Sequence, residues 1–348
     1  MSENIFNNAI GAAGITFINM GLMLGLTFGV LILLRPVTNR LLRPRQRVFL
    51  WFAGWYGGFL LSLYDLVSQV RVLPVSFRSL VVPRVKNYGS YESIPDFLPT
   101  WTDSGEAFTL ALPGGWEFPL PFTEKRLLAV GVLWMFIVLM ALLWTSLQNT
   151  CLRNLSEKGE KMSWADQTGR YGMKEKGVVV RICENLPTNF VRSGHDTGWF
   201  DGVSYVICLQ PGLTEEQMRL VLLHEEEHIR QHHVYYKCII TGCMCCFYWW
   251  NPLLWLAYRL TCRDMELICD EAVLAGLDQR DRRNYARTLV DLGSGRHMWT
   301  ANSFGECDAA LRIKNVAYWK LETRGRKALS WTVLVLLVLF FYCGGPGG

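Results

Sequence analysis

Two histidines four positions apart, with a glutamate directly after the first, stand in His224-Glu225-Glu226-Glu227-His228. Residues at this spacing on a helix share a face, so both imidazoles can reach one metal ion. Glu225 then lies where a carboxylate can approach a metal-bound water. Zinc held this way lowers the pKa of that water toward about 7 and polarises a carbonyl, while the carboxylate takes the proton and passes it to a leaving amine. The chain's composition yields about 0.005 His-Glu-x-x-His patterns by chance. An acidic helix face with two solvated histidines is therefore the weaker reading. A catalytic zinc takes three protein ligands and keeps one open position. Glu266 is the best third ligand, and Asp270, one turn later on the same face, can accept the free ring N–H of His224. The competing reading of Glu266 and Asp270 is a surface charge pair. Cys269 faces elsewhere on that helix and is not counted as a ligand. One zinc per chain is the expected cofactor.

Local signals say how these residues are carried. Thr214-Glu215-Glu216-Gln217 fits a capping box, which predicts a helix starting near Glu215 with His224 and His228 on it. Before it, 178–183 and 203–209 read as short strands, and Pro211-Gly212 as a turn. The stretch 234–260 is apolar except for Lys237, Asn251 and Arg259. One membrane crossing there would separate Glu266 from the histidines. The stretch must therefore return on itself, with Asn251-Pro252 as the break, or lie against the membrane or the bundle. Cys243, Cys245 and Cys246 within it read as small apolar fillers rather than a second metal site. Tyr285 reads as a packing residue of the following helix in preference to an oxyanion donor, and His195 as a loop histidine.

The whole chain is 348 residues, 51% apolar and only 19% charged, against about 25% charged in soluble domains. The deficit is concentrated in 9–34, 48–67, 127–147 and 328–343, which read as four transmembrane helices. This excludes a purely soluble enzyme and a disordered regulator. Arg35, Arg40, Arg43, Arg45 and Arg47 crowd the first connection, so it is expected on the cytoplasmic side with the N-terminus outside. No basic residue precedes the first apolar run, so a cleaved signal peptide is not expected. The predicted organisation is two transmembrane helices with a basic cytoplasmic loop in 1–68, an extracellular loop in 69–125, a third helix in 126–147, a cytoplasmic zinc metallopeptidase domain in 148–327 and a fourth helix in 328–348. The extracellular loop is rich in proline and is expected to have little regular structure. Ten of the 11 cysteines lie from Cys151 to Cys307, on the reducing side, where free thiols are expected. The basic residues sit at membrane edges, where anionic lipid explains them, so direct nucleic-acid binding is not expected.

His224-Glu225-x-x-His228-Ile229, then Trp250-Asn251-Pro252-Leu253-Leu254-Trp255, Met265-Glu266-x-x-Cys269-Asp270-x-x-Val273 and Tyr285-Ala286 form a combined pattern. With three membrane segments before it and one after, the pattern resembles the antirepressor membrane metallopeptidases of the BlaR/MecR type. The resemblance covers most of the chain and is densest over 200–290. It implies a mainly α membrane protein with an α+β gluzincin-like zinc domain, located in a bacterial cell membrane. It also implies His224, His228 and Glu266 as zinc ligands, Glu225 as general base, and a cytoplasmic repressor protein as substrate. Self-cleavage is implied in the loop before the last helix, where Ser303-Phe304 stands ahead of Leu311-Arg312-Ile313. A homodimer is left open, and the lipid bilayer is the other partner. The pattern departs from the family at Glu226 and Glu227, at positions usually apolar or small, and at His233, where Asp is common. No penicillin-binding sensor domain is read after the fourth segment, so a β-lactam receptor role is not inherited. Two other functions keep the same residues: a catalytically silent signalling scaffold and a general membrane quality-control protease.

Overall fold

The computed structural model describes residues 21, 24–59, 100–103, 108–112, 116–120, 124–163, 166–173, 175, 177–184, 186, 188–194, 204–293, 309–320 and 323–342. Helices dominate. The described residues fall into two compact units, one within Met1–Met140, Cys243–Ala257 and Arg324–Gly348, the other within Ala141–Gly242 and Tyr258–Thr323.

In the first unit, α1 (Leu24–Leu33) and α2 (Arg35–Leu41) are bent by 63° to each other, with Pro36 in the first turn of α2. A proline there lacks only an N–H that the helix start leaves unpaired. α3 spans Pro44–Phe59, and a later helix, Arg324–Tyr342, packs on it through Phe49 and Trp331, whose rings are 5.6 Å apart. Among the described residues, one stretch is long and apolar enough to cross a membrane, Gly131–Glu157, or two if α1 and α2 form one broken span. That stretch belongs to α4 (Glu124–Glu157) and exposes Val132, Met135, Phe136, Leu139, Leu143 and Trp144. A continuous apolar surface of this kind suits lipid rather than water.

The proline-rich segment contradicts the expectation of little regular structure. β1 (Thr100–Asp103), β2 (Phe108–Leu112) and β3 (Trp116–Leu120) form an antiparallel sheet in that order. Leu112 pairs with Trp116, so β2 and β3 run antiparallel with only three residues between them in the chain. Pro119 sits in β3, at the sheet edge, where a missing N–H is tolerated. Proline content obscured the alternation.

The second unit holds a four-stranded sheet ordered β4-β5-β7-β6, with β4 Glu160–Lys161, β5 Val178–Ile182, β6 Phe190–Ser193 and β7 Tyr205–Leu209. β5 and β7 run parallel, with Val180 opposite Ile207. Every residue of β7 is buried, as expected for a strand covered on both faces. α5 (Glu215–Arg230) follows and begins with the capping box: the Gln217 N–H donates to Thr214 Oγ1, and the Gln217 side chain accepts from the Thr214 N–H. This satisfies two of the donors that a helix start leaves open. Val221, Leu222 and Ile229 of α5 pack with Val178, Val180, Ile207 and Leu209 of the sheet. Its Leu220 packs instead with Val273, Leu274, Leu277, Tyr285 and Val316. Burying each such aliphatic side chain contributes about 1.5–3 kcal/mol, so α5 is held on both sides.

α6 (His233–Cys243) comes next, then a wide helical turn, Met244–Tyr248, and α7 (Pro252–Gly276). The break falls at Asn251-Pro252. Asn251 Oδ1 accepts the Leu253 N–H at 3.0 Å and its Nδ2 donates to the Gly21 carbonyl at 2.8 Å. A Cβ on Gly25 would come within 2.5 Å of that Nδ2, so glycine permits the approach. The chain of the second unit ends with α8 (Gln279–Gly293) and α9 (Ala309–Ala317); Arg324–Tyr342, in the first unit, is α10.

Candidate metal centre

α5 presents His224, Glu225 and His228 as buried residues, 6%, 8% and 7% exposed. They lie on the polar continuation of the face that packs Val221 and Leu222. α7 brings Glu266 opposite them. His224 Nε2 lies 3.3 Å from Glu266 Oε2, His228 Nε2 lies 3.4 Å from Glu266 Oε1, and the two Nε2 atoms are 3.3 Å apart. The apolar stretch between the helices therefore does return on itself, and the paired acidic residues are not a surface charge pair: Asp270 is fully buried and the Glu266 side chain is 13% exposed.

The proton inventory shows what this triangle can hold. The Tyr285 hydroxyl donates to Asp270 Oδ1 at 2.7 Å, and its oxygen lies 2.9 Å from His224 Nδ1, positioned to accept that ring N–H. Asp270 Oδ1 is also 3.3 Å from the same nitrogen. On the other ring, His228 Nδ1 lies 3.1 Å from His233 Nδ1. With the Nδ1 atoms serving as donors, both Nε2 atoms carry lone pairs. Two lone pairs and a carboxylate converge, with Arg312 Nη2 3.3 Å from His224 Nε2 as a neighbouring donor, an arrangement that suits a metal cation. Zinc–ligand bonds of about 2.0–2.2 Å at tetrahedral angles put ligand atoms about 3.3–3.6 Å apart; the Nε2–Nε2 separation and the two Nε2–carboxylate separations, which run to different oxygens of Glu266, are of that size. The residues present fit a zinc ion.

The charged surroundings are denser than the sequence suggested. Arg312 on α9 holds Asp270 with two hydrogen bonds, Nε to Oδ2 at 2.9 Å and Nη2 to Oδ1 at 2.6 Å. Its Nη1 is 3.5 Å from Glu266 Oε2, and Lys237 Nζ is 3.3 Å from Oε1. Burial alone would push the Glu266 carboxyl up, but His228, Lys237 and His224 beside it hold it well below the ordinary carboxylate range. Burial, then the Asp270 carboxylate, pushes the Tyr285 hydroxyl well above its usual value, so it remains a donor. Burial pushes the His233 imidazole down to about 2, keeping it neutral. Among the described residues, Glu225 has no hydrogen-bond or ion-pair partner, although it is buried. A carboxylate that no neighbouring side chain holds, next to His224 in the chain, is a candidate for a reacting role.

Three residues enter this site against expectation. Tyr285 is 2% exposed and joins Asp270 to His224 rather than only packing. Cys269, taken to face elsewhere, lies 3.5 Å from His233 Nδ1. Arg312 carried no signal of its own, since one arginine in a short helix resembles any surface cation. Cys245 is buried, and Cys243 and Cys246 are half-buried. His195, Ser303 and Phe304 lie outside the described residues.

A buried His-His-Glu triangle on two helices, with an unpartnered glutamate beside it, defines a metallopeptidase-like site in a protein with an apolar, membrane-type helix. The family described as BlaR1 peptidase M56 matches residues 15–315, and the chain belongs to it. The chain is also similar to the regulatory protein BlaR1 of Bacillus licheniformis, with 32% identity over 140 residues, 38% of this chain and 23% of that protein. The match thus spans less than a quarter of that relative's length.

Proposed function

We propose that this chain is an integral-membrane zinc endopeptidase of signal transduction that cleaves a cytoplasmic repressor protein and itself. The convergence of His224 Nε2, His228 Nε2 and the Glu266 carboxylate carries this reading. These three would hold one zinc, which when bound supplies Lewis acidity and an acidified water. Glu225 accepts the water's proton at its carboxylate and delivers it to the departing amine nitrogen. Tyr285 and Asp270 keep the proton of His224 on Nδ1, so that the Nε2 lone pair faces Glu266 and Arg312. The proposed topology has four spans, the N-terminus outside, and 148–327 as the cytoplasmic, gluzincin-like peptidase domain. Self-cleavage at Ser303-Phe304 is supported by the anchoring of α9. Arg312 is tied to Asp270, and Phe304 stands eight positions earlier, within reach of at most about 28 Å of chain.

The test is zinc per chain and proteolysis in detergent-purified protein. Wild type and Glu225→Gln are expected to carry one zinc each, and Glu266→Ala to lose it. Glu225→Gln should also lose about 10²–10⁴-fold in cleavage rate. No zinc in the wild type after loading, or undiminished cleavage by Glu225→Gln, would overturn the reading. A full signalling output from Glu225→Gln would instead support a silent scaffold.

A further inference from the structure

His233 and Cys269 are 2% and 0% exposed and belong to no part of the proposed reaction. His233 reaches the site through a local backbone device. His232 has a φ of 56°, in the left-handed region, and its N–H bonds the Ile229 carbonyl at 2.9 Å. This ends α5 and starts α6 at once, folding His233 back onto His228, five positions earlier. The ring nitrogens meet at 3.1 Å, and Cys269 Sγ lies 3.5 Å from the same nitrogen of His233.

A neutral imidazole has one N–H and one lone pair. His228 turns Nε2 toward Glu266 and His224, so its N–H is on Nδ1 and points at His233. His233 Nδ1 must then be an acceptor, with its own proton on Nε2. The Cys269 Sγ lies 3.5 Å from the same nitrogen, where its thiol, which burial keeps protonated, shares that one lone pair as a weaker, three-centre donor. We propose that His233 is a positioning residue for His228, an uncharged acceptor that fixes the tautomer and ring plane presented to the metal, with Cys269 holding His233 in turn. This rests on the zinc reading and deepens it. His228, His233 and Cys269 also place donor atoms within 4.8 Å of one another, as a second metal site would. His228 cannot supply both nitrogens to two ions without losing its last proton, so the hydrogen-bonded arrangement is the one the geometry favours.

The test uses the full chain in detergent, with Zn²⁺ titrated against a chelating dye and Co²⁺ as a spectroscopic probe. One ion in the wild type checks the zinc reading alone. Partners of this kind change metal affinity about 10–100-fold, so His233→Leu is expected to weaken Zn²⁺ by that factor and to alter the Co²⁺ d–d bands. His233→Asn, which keeps an acceptor, should recover most of the affinity. Cys269→Ser should move it less than His233→Leu. Circular dichroism of the metal-free proteins separates these effects from unfolding, and His233→Ala replaces the leucine variant if that one does not fold. Wild-type affinity in a folded His233→Leu or His233→Ala protein would overturn the inference while leaving the zinc reading intact. A second bound Co²⁺ with a thiolate charge-transfer band, absent in Cys269→Ser, would overturn it in favour of a metal site at the trio.

Discussion

His224 and His228 share one helix face and turn the same ring nitrogen toward Glu266, yet their other nitrogens meet opposite surroundings. Behind His224 stand a buried carboxylate, a buried hydroxyl and a guanidinium, from α7, α8 and α9 respectively. Behind His228 stand an imidazole and a thiol, both uncharged, and the imidazole comes from the helix immediately following. The first flank depends on long-range folding: Tyr285 packs with Leu220, Val273 and Val316 while its hydroxyl serves the site. The second depends mainly on a local turn. A neutral flank costs little to bury, whereas a charged one is tolerable only when fully paired. On the proposed reading, the charged flank would couple the candidate metal centre to the integrity of the helical core, and the neutral flank would tune it.

Breaking the charged flank should have the largest effect on stability. Arg312→Met strands the buried Asp270 carboxylate and is expected to cost about 3–5 kcal/mol, read by denaturant unfolding of the metal-free protein. Adding Asp270→Asn should restore part of that loss, because the stranded charge is gone. Tyr285→Phe removes the hydroxyl between Asp270 and His224 and should cost about 1–3 kcal/mol, with weaker zinc binding in the same preparation. A Tyr285→Phe protein with unchanged zinc affinity would show that Asp270, 3.3 Å from His224 Nδ1, suffices alone. The smallest effect belongs to the turn feeding the neutral flank. His232→Gly relieves a left-handed residue and should raise the thermal midpoint, by up to about 1 kcal/mol of stability. A loss there would show that the His232 side chain contributes more than its backbone conformation costs.

Parts of this site were legible in the chain because they are local. His224 and His228 follow from a four-residue spacing, the start of α5 follows from Thr214 and Gln217, and the break before α7 follows from Asn251-Pro252. Glu266 and Asp270 are also one turn apart, and the structure brings both to the histidines. Arg312 left no trace in the sequence, since only the packing of α9 sets it against Asp270. Tyr285 packs as the sequence reads, but its hydroxyl's place between Asp270 and His224 is not legible there, because burial and a polar role are both open to a tyrosine and only the neighbours decide. Cys269 was misjudged from its helix face alone, before His233 was known to fold back beneath it. The three strands over 100–120 were missed because prolines mask period-two patterning.

What the sequence determined by itself is the set of possible ligands, the helix that carries two of them, and the apolar stretches that suit a membrane. These depend on spacing, capping and composition, which act over a few residues. What only the tertiary structure decided is which nitrogen each histidine offers and what stands behind it. That depends on side chains from five helices, α5 to α9, meeting away from water, where each buried proton must have a partner.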